Sequence, residues 1–281
     1  MIAKYQKVDM GNDSLFKSMF RDERSRKMVA SVLSHITKID EERILSANFI
    51  GGEIPKKQKD EKGKCSDLLI ELDNDTIIIV EMNKFYYKTL FQKNTSYAFA
   101  TYNRRTHVRD RIYPNVYLVN INNFKHFKKG KILRHMMIQD SQNNVDIHNY
   151  HVYHFDIETS SKLDYNDGDE VLIRFAKFMR AKNLDELKEI AKGDDAFMFS
   201  FDSINDFIGD DPRIVTYDRE KLHEWEKQQI WEYGVEQGIE EGSSEKTSEI
   251  VYNMFKKKFD LETISEIASI SINDVKKILN I

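Results

Sequence analysis

A single cysteine, Cys65, in 281 residues excludes an internal disulfide framework and any cysteine-based zinc cluster. Long apolar runs are missing as well, since no stretch approaches the roughly eighteen consecutive apolar residues of a membrane helix. The opening residues, MIAKYQKVDMGND, lack the apolar centre of a secretory signal. The expected setting is therefore the cytoplasm, with no membrane partner. Nor does one sign of charge dominate. A net charge of −4 speaks against a protein that merely coats nucleic acid, so a DNA enzyme would have to concentrate its positive charge locally. Charged residues make up 32% and apolar residues 40%, the balance of a globular chain with a real core. At this length there is room for one large domain, or one domain and an appendage.

What is present centres on residues 64–83, KCSDLLIELDNDTIIIVEMN. Two apolar runs, 68–72 and 77–82, flank Asp73-Asn74-Asp75, the pattern of a β-hairpin with an Asp/Asn turn. A turn centred on Asn74 sets Asp67 opposite Glu81, because each lies seven residues from that centre. Directly opposed residues on antiparallel strands hold their Cβ atoms about 4.5–5.5 Å apart. Asn83 then points to the same side as Glu81. Two carboxylates that close repel unless a cation or a shared proton lies between them. Oxygen-only ligands suit a hard ion such as Mg²⁺, with waters completing its shell. Carboxylates beside turns are most often plain strand ends. Glu81, however, follows five β-branched residues, 76–80, and a charge at the end of a buried strand needs a partner.

Asp67 followed by Glu81-Met82-Asn83 resembles the PD-(D/E)XK nuclease core, and within it the recombination-promoting nuclease and transposase family of bacteria. Asp13-Ser14-Leu15-Phe16-Lys17 is similar to that family's opening D-x-x-F-K helix, and the Gly-rich charged stretch 233–242 also fits. The wider superfamily has Lys where this family usually has Gln, and this chain has Asn83, one methylene shorter. The resemblance implies an α/β, restriction-endonuclease-like mixed sheet flanked by helices, with a helical C-terminal extension. It implies a Mg²⁺- or Mn²⁺-dependent DNA endonuclease, tied to recombination or mobile elements. Asp67, Glu81 and Asn83 would be catalytic. Asp67, Glu81 and the Met82 carbonyl would hold the ion. The alternative is a nuclease fold without catalysis, kept as a nucleic-acid or protein interaction module. Asn83, which can hydrogen-bond but carries no charge, keeps that alternative open.

Helical spacing of Leu15, Phe16, Met19 and Phe20 predicts a first helix, with Asn12 or Asp13 as its cap, and a second follows at 24–36. Residues 43–50 read as a strand, and the lysine-rich 56–64 as a loop. A long helix over 84–107 has Tyr86, Leu90, Asn94, Tyr97 and Thr101 on one face. Strands are expected at 115–121, 132–138 and 151–157, then only helices: 169–181, 184–191, 203–208, 218–241, one from 243 through 259, and two short ones after it. The expected organisation is a nuclease-like core over 1–165, a helical extension over 166–242 and a small tail over 243–281. Ile264, Ile267, Ile270, Val275 and Ile278 would form the tail's own core, in a reduced helix-turn-helix that packs or reads DNA.

Around the hairpin, Asp13 can add a carboxylate or simply cap its helix. Lys93, Asn94 and Tyr97 form a second group that touches substrate phosphate, or else a half-exposed rim. Lys64 could reach the same phosphate. His148, His151 and His154 do not form a metal cluster, because His151 and His154 point to opposite faces of a strand, and surface positions are expected for them. Basic groups at 56–64, at Arg104, Arg105, Arg109 and Arg111, and at 125–131 are solvated loops or a phosphate-tracking surface. Gly234, Gly238 and Gly242 suggest close approach of helices or a deliberately weak helix, and a homodimer is among the expectations.

Overall fold

A computed structural model describes residues 8–11, 13–50, 53–54, 64–73, 75–106, 113–127, 131–140, 142, 147–210, 235 and 246–281. The chain divides into two compact units, 1–222 and 223–281.

In the first unit, α1 (Asp13–Arg21) and α2 (Arg26–Thr37) lead into α3 (Glu41–Leu45) and β1 (Asn48–Ile50). A small ribbon pairs β2 (Glu53–Ile54) with β3 (Lys64–Cys65). Then come β4 (Leu68–Leu72), β5 (Thr76–Asn83), α4 (Leu90–Arg105), β6 (Asn115–Asn122), β7 (Leu133–Ile138) and β8 (Ile147–Asp156). A short α5 (Ile157–Ser160) precedes α6 (Glu170–Met179), α7 (Leu184–Ala191) and α8 (Asp195–Asp210). The main sheet has six strands in the order β1-β4-β5-β6-β8-β7. β5, β6 and β8 run parallel at its centre, and the outer pairings are antiparallel. This is the mixed α/β arrangement expected from the sequence.

The two faces of the sheet are covered differently. Ile78, Val80, Val119, Ile121, Tyr153 and Phe155 face one large core, together with α1, α2, α6 and α8. Leu172, Phe175, Phe178, Phe197 and Ile204 belong to that same core. The helices from 170 to 210 are thus built into the sheet's unit, because their apolar faces are what covers it. The other face is smaller: Ile77, Ile79, Val116, Leu118 and Tyr150 pack on Ala98 of α4.

Three expectations need correction. Residues 43–45 are helical rather than strand, because Asp40 caps α3 by accepting from the Arg43 N–H at 3.1 Å, and Glu41 and Glu42 fill its acidic first turn. The helix after the hairpin begins at Leu90, not at 84. Residues 84–89 form a loop that buries Tyr87 and pairs Lys84 with Asp9 at 2.8 Å. The helix expected at 203–208 is longer and starts at Asp195. Segments 55–63, 107–112, 128–130, 211–234 and 236–245, and with them most of the helix expected at 218–241 and Gly234, Gly238 and Gly242, lie outside the described residues.

The second unit holds α9 (helical over 246–256), α10 (Leu261–Ala268) and α11 (Ile272–Leu279). Asp260 caps α10 and Ser271 caps α11 through the N–H groups of Thr263 and Asp274. Val251, Ile264 and Val275 are its buried centre, with Ile270 and Ile278 packed around them. Ile267, expected in this core, is 58% exposed, and Val251 of α9 is buried at the centre instead.

Candidate active site

The hairpin register brings the two carboxylates together. Leu68 pairs with Val80 and Leu72 with Thr76. One step beyond the last pair sets Asp67 opposite Glu81, the register counted from the turn. The turn itself bends through Asp73 at φ 51°, a left-handed conformation that Asp tolerates. Arg43 holds it by donating to Asp73 and Asp75. Asp67 is fixed on two sides. Its Oδ2 accepts from the Met82 backbone N–H at 2.7 Å, and its Oδ1 lies 3.5 Å from Lys17 Nζ of α1. Glu81 is 6% exposed.

Side chains alternate along a strand, so Glu81 and Asn83 share the α4 face with Ile77 and Ile79. Parallel pairing extends the row: Asn120 stands beside Glu81 and Asn122 beside Asn83 on β6, then His154 and Asp156 on β8. The first halves of these strands are therefore apolar on this face, and their C-terminal ends are polar. The carboxyl end of parallel strands is where open α/β sheets place their sites.

Asn83 is 5% exposed and its amide is engaged at both ends. Its Nδ2 donates to Asn122 Oδ1 at 3.0 Å and to Asn120 Oδ1 at 3.4 Å. Its Oδ1 accepts from Asn94 Nδ2 at 2.9 Å, and Asn94 Nδ2 also donates to Asn120 Oδ1 at 2.8 Å. Asn120 Nδ2 in turn donates to the Tyr153 carbonyl. Four buried asparagines thus form one network, which fixes the amide two residues beyond Glu81.

Lys93 is on the same side of the sheet. Burial works against its charge, but Tyr87, Tyr97 and Glu81 outweigh that and hold its ammonium above the ordinary value. Its Nζ also sits 5.9 Å from the Tyr97 ring centroid. Lys93, Asn94 and Glu81 are therefore gathered together, and Tyr97 joins them through Lys93. Asp13 opens α1 and Lys64 lies in β3, but the side chains of both are outside the described residues.

The histidines divide as their strand positions require. His151 stacks on Tyr117 and bonds His135 at 3.0 Å, while His154 packs edge-on against Phe91. His148 is exposed, but His154 is 4% exposed, contrary to the surface position expected for it, because β8 is an interior strand of the sheet. Of the basic groups, Arg105 is paired with Glu71.

Neither Lys17 nor Asn120 and Asn122 has a role assigned from the sequence alone. The asparagines had a signal: they alternate at the end of an otherwise apolar strand, NVYLVNIN. Lys17 had none, because its partner lies fifty residues away.

The donors at the hairpin end suit a hard divalent cation. The two carboxylates offer oxygen alone, the donor type that such an ion takes. Among the described residues no group of three or more His, Cys, Asp and Glu gathers into a metal cluster. Among the described residues such an ion would rest on the Asp67–Glu81 pair. The ammonium of Lys17 at Asp67 is itself a sign of the pair's pull on positive charge.

A family model described as PD-(D/E)XK nuclease family transposase matches residues 10–234. Neither a curated protein nor a solved structure was found to match.

Proposed function

We propose, for a chain that belongs to the PD-(D/E)XK nuclease family of transposases, that it is a Mg²⁺-dependent DNA endonuclease acting at Asp67 and Glu81. The observation that carries this reading is the cross-strand carboxylate pair at the polar end of three parallel strands. Asp67, Glu81 and the Met82 carbonyl would hold the ion, which when bound neutralises charge on the phosphate and acidifies the attacking water. Mn²⁺ satisfies the same donors.

The chain's own groups do the positioning. The Met82 N–H orients Asp67, so the carboxylate does not need to reorganise when substrate arrives. The asparagine network holds the end of β5 rigid behind Glu81. Lys93, beside Glu81, adds positive charge where a phosphate would approach. In the reaction water forms a new P–O bond, one bridging P–O bond breaks, and the leaving oxygen takes a proton. The products are a phosphomonoester end and a hydroxyl end. The description of the family as transposases supports a role at mobile elements, and through it in recombination.

The test is nicking of supercoiled plasmid by purified protein, with Mg²⁺ and with EDTA, beside Asp67→Asn. The wild type nicks only with Mg²⁺, and Asp67→Asn loses at least about a thousandfold. Metal-independent nicking equal in both proteins would remove the nuclease reading. Salt-sensitive DNA binding without nicking would favour an interaction module.

A further inference from the structure

Cleaving a phosphodiester builds negative charge around the phosphorus, and the side chain two residues beyond Glu81 supplies no positive charge. Asn83 is neutral, and its oxygen and nitrogen are both engaged by other asparagines. A cation reaches the carboxylates from elsewhere in the fold. Lys17 of α1 places its Nζ 3.5 Å from Asp67 Oδ1. Its position is set by the core and not by chance rotamers of an exposed lysine. Leu15, Phe16, Met19 and Phe20 of the same helix are all buried, and Phe16 stacks on Phe20 with centroids 4.1 Å apart. The Lys17 side chain is only 22% exposed. Asp67 is equally constrained, since its other oxygen is held by the Met82 N–H. Lys93 lies on the Glu81 side of the pair, with Tyr87 and Tyr97.

We propose that Lys17 delivers, from α1, the positive charge that stabilises the scissile phosphate at the Asp67–Glu81 site. The inference rests on the nuclease reading above and adds a catalytic residue to it. Charge placed in advance by a buried helix needs no rearrangement during reaction, which is what makes such a group effective. A lysine there also has a cost that can be measured. A cation bound by Asp67 and an ammonium beside Asp67 repel, so Lys17 weakens metal binding while speeding turnover.

The experiment measures two quantities on the full chain: steady-state nicking with Mg²⁺, and Mg²⁺ affinity by calorimetry without DNA. Lys17→Met is expected to lower kcat by about a hundred- to a thousandfold with little change in KM for DNA. Its Mg²⁺ affinity is expected to rise about three- to tenfold, because the repelling charge is gone. Lys17→Arg, which keeps the charge, should recover at least about a tenth of wild-type turnover, short of full recovery because its fork differs from an ammonium. If Lys17→Met does not fold, Lys17→Gln is read in its place. Wild-type kcat with tighter Mg²⁺ binding would overturn the proposal and leave Lys17 as a counter-ion. A fall in kcat matched by an equal fall in Mg²⁺ affinity would also overturn it, since Lys17 would then act only by holding Asp67. Failure of the nuclease reading has a different signature: wild type without Mg²⁺-dependent nicking, and Asp67→Asn with unchanged Mg²⁺ affinity.

Discussion

The central strands β5, β6 and β8 present two faces that obey different rules. Toward α2, α6 and α8 the strands bury an apolar centre, Ile78 and Val80 of β5, Val119 and Ile121 of β6, and Tyr153 and Phe155 of β8. Toward α4 the strands begin apolar and end on Glu81, Asn83, Asn120, Asn122, His154 and Asp156. Both sets are buried. Burying that many polar groups costs free energy unless each finds partners, and an apolar row would have served stability as well. The α2 face therefore carries most of the apolar core, and the α4 face buries at its strand ends the polar groups that the proposed chemistry would use.

The contrast can be broken first on the apolar side. Phe178 is fully buried and meets Phe197 edge-on at 5.5 Å. Phe178→Ala should lower unfolding free energy by about 3–5 kcal/mol. Nicking per folded molecule should stay at the wild-type rate, and urea denaturation with a burst-corrected assay checks both.

The polar side should respond to pH. Burial, then the neighbouring charges of His126 and Arg134, push His154 down from 6.5 to about 4. The folded state thus binds its proton more weakly than the unfolded state. Above about pH 6.5 His154 is neutral in both states and adds no slope. As pH falls from there toward about 4, the unfolded chain takes up the proton first and stability is lost. His154→Phe should flatten that loss by roughly 2–3 kcal/mol. A fall in stability between pH 7 and 4 that is identical in both proteins would contradict the buried, neutral assignment.

A smaller effect is expected at Asn120, whose oxygen accepts from both Asn94 and Asn83. Asn120→Ala strands those donors and should cost about 1–3 kcal/mol. Because the Asn83 end of β5 would loosen, turnover should fall about tenfold, well short of the loss at the carboxylates. The smallest effect is expected from the tail. Removing residues 243–281 should leave the first unit unfolding in one cooperative step, since Val251, Ile264 and Val275 form a separate core. A broadened, multistep transition would show that the units depend on one another.

How much of this the sequence carries depends on the range of the interaction. The hairpin was legible because its register follows from a local turn and a β-branched run, and the pairing of Leu68 with Val80 agrees. Most helices were legible from apolar spacing. Residues 43–50 suggested a strand, and a local cap at Asp40 decided 43–45 for helix. The asparagine network was not legible, because it needs β5 and β6 to lie side by side in parallel, which no local pattern specifies. The burial of His154 needed the sheet order for the same reason. Lys17 was the hardest, as its meeting with Asp67 depends on how α1 seats in the core.

The account stands most directly on Glu81, and Glu81→Gln tests it with almost no change in shape. Removing the charge of a buried carboxylate beside Asp67 should leave the melting temperature equal or higher without metal. The Mg²⁺-dependent nicking rate on supercoiled plasmid should drop by at least about a thousandfold. A rate within threefold of wild type at saturating Mg²⁺ would contradict the assignment of catalysis to the carboxylate pair.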